Sequence, residues 1–507
     1  MNISISDYLL ESLKKFIIKN RGIWLYLILL LNFALRLLIY SKTVLFNFSD
    51  YKVYLDGIDR IHSEGCISLV SGNFLFTISY LGYYAKYLLG SINYFYVLNC
   101  FLGTMATFIL AKLTNRISGS DISGVVVALI LTLYTEFMVF SSVFYTPVIM
   151  LFLLAFFMFQ LYLFYANRLF LNSLLVLVLL IIIYLTTFLF KPELIFLPIF
   201  LILFSLFFIK KDNRFFKRTL ILSLVLIIST AFFLFSGVFT RQKDQVIAND
   251  FIFFGHTDYG GDGGEGSFVY SQNKVRYDVA LSEWCKKNNI ARPGPQEINR
   301  FQRGEIFKFI THSPFRWIKL QLTKFFRTFG VVPESTTFKV LYSGLLKLNL
   351  SLTSIVVVAP VALIIILFIL LFNLSSLKKL FKSSTSNPLS SSTLIRKPNP
   401  KQNNQFLLIY SLIFFYYLIC TIFLGQYQER YRLPLMVVFI IPMLGYFFVV
   451  FDVKQFLNKL SLSVKGLVIV LFLIIWCLQA KNAISNKHRL ENSIESIKGN
   501  IEASIYN

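Results

Sequence analysis

The chain has 507 residues, of which 56% are hydrophobic and 17% aromatic. A soluble protein of this length cannot bury so much apolar surface, so the composition excludes that class and indicates a membrane protein. The formal net charge of +24 would indicate a nucleic-acid partner in a soluble protein. In a membrane protein it is better explained by basic residues in cytoplasmic segments, and we predict no nucleic-acid partner.

Apolar runs of about 20 residues recur along the chain and predict transmembrane helices, since only a helix satisfies its own backbone inside lipid. About 11 such helices are predicted, at residues 23–41, 93–113, 123–140, 145–165, 171–190, 192–209, 218–239, 351–373, 406–424, 433–451 and 465–480. The segments that connect them on one side are basic, which by the positive-inside rule places those segments and the N-terminus in the cytoplasm. We therefore expect an all-α polytopic protein with most of its acidic residues outside.

The interruptions of the apolar pattern divide the chain into units. In chain order these are an N-terminal membrane module (1–239) with a first outer loop (42–92), a long outer loop between helices seven and eight (240–350), the C-terminal transmembrane helices (351–480) with a cytoplasmic linker (375–404), and an outer tail (481–507). The linker is rich in Ser, Asn, Pro and Lys, a composition typical of a solvated segment without a core.

The first outer loop is rich in acidic residues, although the chain as a whole is poor in them. Ser49 is a suitable helix cap, which places Asp50 in the first turn, where the helix dipole favours a carboxylate. Apolar residues then recur at helical spacing and predict an amphipathic helix on the bilayer surface: Tyr51, Tyr54, Leu55, Ile58 and Ile61. The alternative is an ordinary helix start with a solvated acidic face. Residues 74–89 predict a second interfacial helix, with Lys86 extended toward the lipid headgroups.

Charged residues also stand at the outer ends of other predicted transmembrane helices, where they are costly and therefore candidates for function. Besides Asp50 these are Glu136, Lys191, Arg430 and Arg432. Carboxylates and cations on one membrane face suit an anionic, membrane-embedded substrate, because the arginines can hold phosphate bidentately and the lysine adds a point charge. The alternative for any single cation is anchoring at the interface by snorkelling. The four histidines are far apart in the sequence, and we predict no metal site.

Five stretches between residues 30 and 450 form a recognisable set. They are Arg36 followed by the loop with Asp50 and Tyr54, residues 134–142 (YTEFMVFSS), 190–193 (FKPE), 307–320 (FKFITHSPFRWIKL) and 429–436 (ERYRLPLM). Together they resemble the GT-C glycosyltransferase superfamily, and within it the bacterial protein O-mannosyltransferases and lipid A aminoarabinose transferases. The last stretch is the most specific. The chain departs from the family at Pro147, where members often have a Glu, and Glu136 is the nearest acidic residue.

The resemblance implies a GT-C fold and a multi-pass enzyme of the bacterial inner membrane, with its active site on the outer face. The implied donor is a sugar linked to a polyprenyl phosphate, and the acceptor is a hydroxyl group of a lipid, a glycan or a protein. Asp50 is then the catalytic base, Lys191, Arg430 and Arg432 bind the departing lipid phosphate, and Glu136 lies on the acceptor side. Tyr51 and Tyr54 orient the base or stack on a sugar ring. No cofactor and no metal are implied.

Two other function classes fit parts of the pattern. An envelope polysaccharide polymerase or ligase also has a long outer loop and phosphate-binding arginines, but it gives no role to Asp50. A flippase for lipid-linked sugars requires charges in a cavity at the middle of the membrane and repeated half-structures, whereas the charges here lie at one face and no repeat is found.

Overall fold

A computed structural model of the chain describes part of its length, and over that part it is helical and contains no strand. The described residues are 21–42, 50–64, 76–142, 144, 146–166, 170–190, 194–206, 213–235, 250–260, 271–328, 400–420 and 433–450. The predicted helices at 351–373 and 465–480, the linker and the tail lie outside these ranges.

The described residues of the N-terminal half form ten helices. They are α1 (Arg21–Lys42), α2 (Asp50–Glu64), α3 (Phe76–Tyr83, continued by a π-helical turn, Tyr84–Leu88), α4 (Asn93–Ser118), α5 (Asp121–Leu133), α6 (Thr135–Val139, continued by a 3-10 turn, Phe140–Ser142), α7 (Pro147–Ala166), α8 (Phe170–Phe190), α9 (Leu197–Ser205) and α10 (Asn213–Phe235).

The described helices of the second half form two groups. The first group is α11 (Asp250–His256), α12 (Ser271–Lys287), α13 (Pro295–His312) and α14 (Pro314–Thr328). The second is α15 (Pro400–Leu418) and α16 (Ile441–Val450), the latter preceded by a π-helical turn, Pro434–Ile440. A π-helical turn widens the helix locally and is found frequently at functional sites.

Three of the described helices are long and apolar enough to cross a membrane, namely Ile23–Ser41, Asn93–Ser118 and Pro147–Ala166. Four shorter apolar helices pack beside them, at Asp121–Leu133, Leu174–Thr187, Phe406–Leu418 and Pro434–Tyr446. This supports an all-α membrane protein. The expected boundaries fit closely for α1, α4 and α7.

One predicted transmembrane helix is shorter than expected. The sequence predicts a continuous helix over 123–140, but α5 ends at Leu133 after 13 residues because Tyr134 leaves the helical conformation, with ψ of 88°. At a rise of about 1.5 Å per residue, α5 is only about 20 Å long. The following residues form the short α6. The sequence analysis counted residues 134–140 with the apolar run before them, although this stretch contains Tyr134, Thr135 and Glu136.

Contacts fix the direction in which each helix runs through the bundle. The Tyr40 hydroxyl donates to Asn93 Oδ1 at 2.7 Å, so α1 ends where α4 begins. We call this end, which also carries α2, α3 and α6, the loop end. At the opposite end the Tyr162 hydroxyl donates to the Arg116 carbonyl at 3.3 Å, and Arg218 donates to the Tyr165 carbonyl at 2.9 Å. Helices α4 and α7 therefore run away from the loop end, whereas α10 runs toward it.

The same argument orients α15 and α16. The ring of Phe406, near the start of α15, lies 5.1 Å from Tyr162 at the end opposite the loop end, so α15 runs toward the loop end. Phe414, farther along α15, contacts Phe439 at 5.9 Å, while Gly445 packs against Ser123 near the start of α5. The segment from Pro434 to Val450 therefore runs away from the loop end. Both α10 and α15 therefore run toward the loop end.

Helices α11 to α14 form a separate small core within the predicted long outer loop. We call helices α11 to α14 the extramembrane unit after this predicted location. Five aromatic residues are buried together in it: Phe253, Phe254, Tyr259, Tyr277 and Phe301. At its surface Asp258 pairs with Arg276 at 2.9 Å and with Arg316 at 3.1 Å, which ties α14 to the turn after α11.

Lys324 is the unusual member of the extramembrane unit. Its side chain is fully buried, and its ammonium donates to the Gly255 carbonyl at 2.7 Å. Burial removes water from the charged form and lowers the pKa of Lys324 from 10.5 to about 7.

We expect the free energy of unfolding of this unit to rise as the pH increases from about 7 toward 10.5. Over that interval the unfolded chain binds more protons at Lys324 than the folded chain does, so raising the pH favours the folded state. Denaturant titrations of the full chain in detergent, followed by tryptophan fluorescence at several pH values, measure this slope. Lys324→Met should remove it, while Lys319→Met, at an exposed position of the same helix, should retain it. An unchanged slope in Lys324→Met would contradict the assignment.

Candidate functional site

The loop end of the bundle is built around Arg36 of α1. The side chain is fully buried and makes three hydrogen bonds: Nε donates to Asn32 Oδ1 at 2.9 Å, and Nη1 donates to the Phe137 carbonyl at 3.0 Å and to Ser141 Oγ. The guanidinium carbon also lies 4.1 Å from the centre of the Phe137 ring, a cation–π contact. One arginine thus fastens α6 and its 3-10 turn to α1.

A glycine of a neighbouring helix leaves the space that this guanidinium group occupies. A Cβ atom at Gly103 of α4 would lie 2.5 Å from Nη1, so the close approach requires glycine there. Asn32 extends the network, because its Nδ2 donates to Thr132 Oγ1 at 3.0 Å and its Oδ1 accepts from Thr104 at 3.1 Å. Four helices, α1, α4, α5 and α6, therefore meet at one buried polar cluster, as expected for polar groups inside an apolar bundle.

Helix α2, which begins at Asp50 in the described chain, packs at the same end of the bundle. Tyr54, Ile58 and Ile61 are buried, while Asp56, Asp59 and Arg60 are exposed, so the predicted apolar stripe is real. The expectation that it lies on the bilayer surface is wrong for these three residues, because protein covers them. Helix α3 provides the cover: the Ser79 hydroxyl donates to the Tyr54 carbonyl at 2.8 Å, and a Cβ at Gly82 would meet Ile58 at 2.5 Å.

Phe144 joins α2 to the turn after α6. Its ring contacts Tyr54 edge-on at 6.5 Å and Phe95 at 4.4 Å between ring centres. The helix that carries Asp50 and Tyr51 thus packs against a residue that comes shortly after the helix of Glu136 in the chain. For Asp50, Tyr51 and Glu136 themselves the structure describes the backbone only.

Tyr54 is surrounded by protein, whereas a ring that stacks on a sugar must be accessible to the substrate. Only 2% of it is exposed, and its ring packs against Phe144 in the core. This packing fixes the position of α2 relative to the rest of the loop end.

An exposed polar cluster lies farther along α2. Lys86 donates to Asp59 Oδ1 at 2.6 Å, and the Tyr87 hydroxyl donates to the same oxygen at 3.2 Å. The hydrogen bond from Lys86 lowers the pKa of Asp59 and raises that of Lys86. His62 stacks on Tyr87 with ring centres 3.9 Å apart. Lys86 therefore pairs with α2, whereas the sequence predicted a side chain extended toward lipid headgroups.

The three predicted phosphate-binding cations, Lys191, Arg430 and Arg432, lie outside the described residues. The chain that follows Arg432 is described from Leu433 onward, and Leu433 is buried in the main apolar core. Because the segment from Pro434 to Val450 runs away from the loop end, its first residues lie at that end. Leu194, shortly after Lys191, is also buried, and its carbonyl accepts a hydrogen bond from the Tyr184 hydroxyl at 3.2 Å.

Sequence reasoning did not assign Arg36 to the site, although it noted this residue as part of the resemblance. A usable signal was present, since an arginine inside a transmembrane helix is costly and needs several acceptors. What the sequence lacked was the identity of those acceptors, which lie about 100 residues away. Among the described residues no cluster of three or more His, Cys, Asp or Glu side chains is suited to a metal ion.

Comparisons with known proteins identify no family for this chain. No protein-family model matches the chain, and a search of the curated proteins finds no relative. The likeness to GT-C glycosyltransferases therefore rests on the motifs alone, and what it implies about function is a proposal.

We expect Arg36→Lys to lower the free energy of unfolding by roughly 1.5–3 kcal/mol, the usual loss of one hydrogen bond to a charged group. A lysine has no planar fork and cannot hold Asn32, Phe137 and Ser141 at once. Equilibrium unfolding in mixed micelles measures the loss, and limited proteolysis near residues 134–146 reports whether the turn is released. Arg303→Lys, at an exposed position of α13, is the matched control and should leave both unchanged. Equal stability of the two variants would remove Arg36 from its organising role.

Proposed function

We propose that this protein is a membrane glycosyltransferase that moves a sugar from a polyprenyl-phosphate donor to an acceptor hydroxyl at the outer face of the membrane. The observation that carries the proposal is the convergence of two acid-bearing segments at one end of the bundle. The buried Arg36 network fastens the helix that carries Glu136 to α1, and the Tyr54–Phe144 contact joins the helix that begins at Asp50 to the chain that follows. A rigid support for a carboxylate at a membrane boundary is what a catalytic base requires.

The chemistry follows from the donor. The oxygen of the acceptor hydroxyl attacks the anomeric carbon, and the bond between that carbon and the phosphate oxygen breaks. Asp50 takes the hydroxyl proton, and the polyprenyl phosphate leaves with its negative charge. Attack from the side opposite to the phosphate inverts the configuration of the anomeric carbon. The reaction needs no cofactor, since phosphate is already a good leaving group.

Cations at the same end would stabilise the charge that develops on the leaving phosphate. In the proposal Arg430 and Arg432 hold the phosphate oxygens, and Lys191 adds a point charge. The direction of the segment from Pro434 to Val450 supports this role, because it brings the chain adjoining Arg432 to the end that carries α2. Glu136 is proposed to bind the acceptor, Tyr51 to orient the base, and Tyr54 to position α2 from within the core.

The bilayer is an integral part of the proposed reaction. A polyprenyl chain remains in the lipid while its phosphate lies at the headgroup level, so the enzyme must present its reactive groups at that depth. Helices able to cross a membrane, with acid-bearing segments at one end of the bundle, suit such a substrate. The acceptor is defined only by its hydroxyl group and can belong to a lipid, a glycan or a protein.

We expect Asp50→Asn to slow sugar transfer by about 10²–10⁴-fold, the usual contribution of a general base. The substitution keeps the size of the side chain and removes its basicity. Mass spectrometry of envelope glycolipids and glycans from cells without the gene should reveal a missing sugar, which the wild-type gene restores and Asp50→Asn does not. Asp56→Asn, at an exposed position of the same helix, is the matched control and should restore it. Full restoration by Asp50→Asn would exclude this residue as the base.

We expect Arg430→Ala to lose about 2–4 kcal/mol of transition-state stabilisation, comparable to the loss of one oxyanion donor. Arg430→Lys should recover only part of the loss, because an ammonium group cannot bind phosphate bidentately. The ratio of kcat/KM between wild type and variant, with the donor identified by the envelope analysis, measures the effect. Arg303→Ala serves as the control at an exposed arginine outside the bundle. An Arg430→Ala enzyme with wild-type kcat/KM would require a different phosphate-binding group.

A further inference from the structure

Helix α14 of the extramembrane unit exposes three of its large apolar residues. Phe315 is 85% exposed, Ile318 46% and Leu322 52%. At about 100° per residue these three positions fall on one face of the helix. The outward face is therefore an apolar stripe, which we call the α14 stripe.

The opposite face of α14 is buried and mixed, with Leu320 beside Gln321 and Lys324. Lys324 and Gln321 both donate to the Gly255 carbonyl, at 2.7 and 3.1 Å. Trp317 lies on the same side and donates to His256 Nδ1 at 3.1 Å. A helix surrounded by water would expose its lysines and bury its large apolar residues, whereas α14 buries Lys324 and exposes the α14 stripe. Because burying Lys324 costs free energy while the stripe stays uncovered, the orientation of α14 indicates an apolar partner on its outward face.

Charge identifies the kind of partner. The sequence of α14 contains four basic residues, Arg316, Lys319, Lys324 and Arg327, and no acidic one. Arg316 pairs with Asp258, but Lys319 is exposed beside the α14 stripe. An apolar stripe flanked by cations is typical of helices that lie in the headgroup region of a membrane with anionic lipids.

Location supports the same partner. Phe325, near the end of α14, packs against the apolar core of the bundle, so α14 adjoins a body with helices able to cross a membrane. Phe307, close to the end of α13 and 71% exposed, extends the exposed apolar surface toward the corner between α13 and α14.

We propose that α14 is an interfacial anchor, which inserts Phe315, Ile318 and Leu322 into the anionic leaflet at the loop end and holds the extramembrane unit against the bilayer. This inference concerns lipid contact and does not depend on the glycosyltransferase proposal, because its test measures no transfer reaction.

The experiment uses the full chain in lipid nanodiscs. A nitroxide is attached in turn to Phe315→Cys, Ile318→Cys and Leu322→Cys, with the five native cysteines replaced by alanine. The accessibility of each nitroxide to oxygen, which dissolves in lipid, and to a water-soluble nickel chelate is measured by electron paramagnetic resonance. Arg303→Cys, at an exposed position of α13, is the aqueous control.

We expect the ratio of oxygen to nickel accessibility to be several-fold higher at the three stripe positions than at residue 303. The ratio should also be higher in discs that contain phosphatidylglycerol than in discs of phosphatidylcholine alone, and Lys319→Glu should abolish that difference. High nickel accessibility at residue 315 would overturn the proposal. Low accessibility to both reagents would equally overturn it, since a protein surface, such as a second copy of the chain or a segment outside the described residues, would then cover the stripe.

A second measurement avoids the cysteine replacements, which alter the buried Cys100 and Cys285. A benzophenone amino acid placed at residue 315 of the otherwise native chain should form lipid adducts on illumination in the same discs, detectable by mass spectrometry. The same residue placed at position 303 should form several-fold fewer. Equal yields at the two positions would contradict the anchor.

Discussion

The burial of one guanidinium group inside an apolar bundle is the constraint on which the loop end depends. Lipid offers no hydrogen bonds, so the protein itself must supply the acceptors for Arg36. It does so with the side chains of Asn32 and Ser141 and with the Phe137 carbonyl. The Phe137 carbonyl lies in the short α6 just after α5 ends, where it comes within 3.0 Å of Nη1, and one of its two lone pairs accepts this hydrogen bond.

The buried Arg36 network affects the proposed active site through the packing of side chains between the two. The turn that Arg36 holds leads to Phe144, which contacts Tyr54 and so fixes the height and rotation of α2. Asp50 then starts a helix whose inner face is immobilised, while its outer face carries the exposed Asp56 and Asp59. A base supported in this way loses little orientational freedom, which favours catalysis by positioning. The packing that holds the helices together at the loop end therefore also supports the proposed catalytic base.

The extramembrane unit illustrates how far a helical pattern can be interpreted. The sequence of α14 contains both apolar and basic residues, but it does not state which face turns toward the protein. In the structure Lys324 and Gln321 turn inward and donate to the Gly255 carbonyl. Leu320 is buried on the same face, and this orientation leaves Phe315 exposed. Contacts with a distant segment of the chain thus accompany the orientation of the helix, and with it the proposed contact with lipid.

The sequence by itself determined the all-α character, the apolar helices α1, α4 and α7, and the amphipathic helix that begins at Asp50. These depend on local hydropathy and on periodicity, which act within one helix. Tertiary structure alone decided that α5 ends at Leu133, that Lys86 pairs with Asp59, and that protein covers Tyr54. Each of these outcomes depends on groups from separate helices, up to about 100 residues apart in the case of Arg36 and its acceptors. No local pattern encodes which distant acceptor a buried side chain will find.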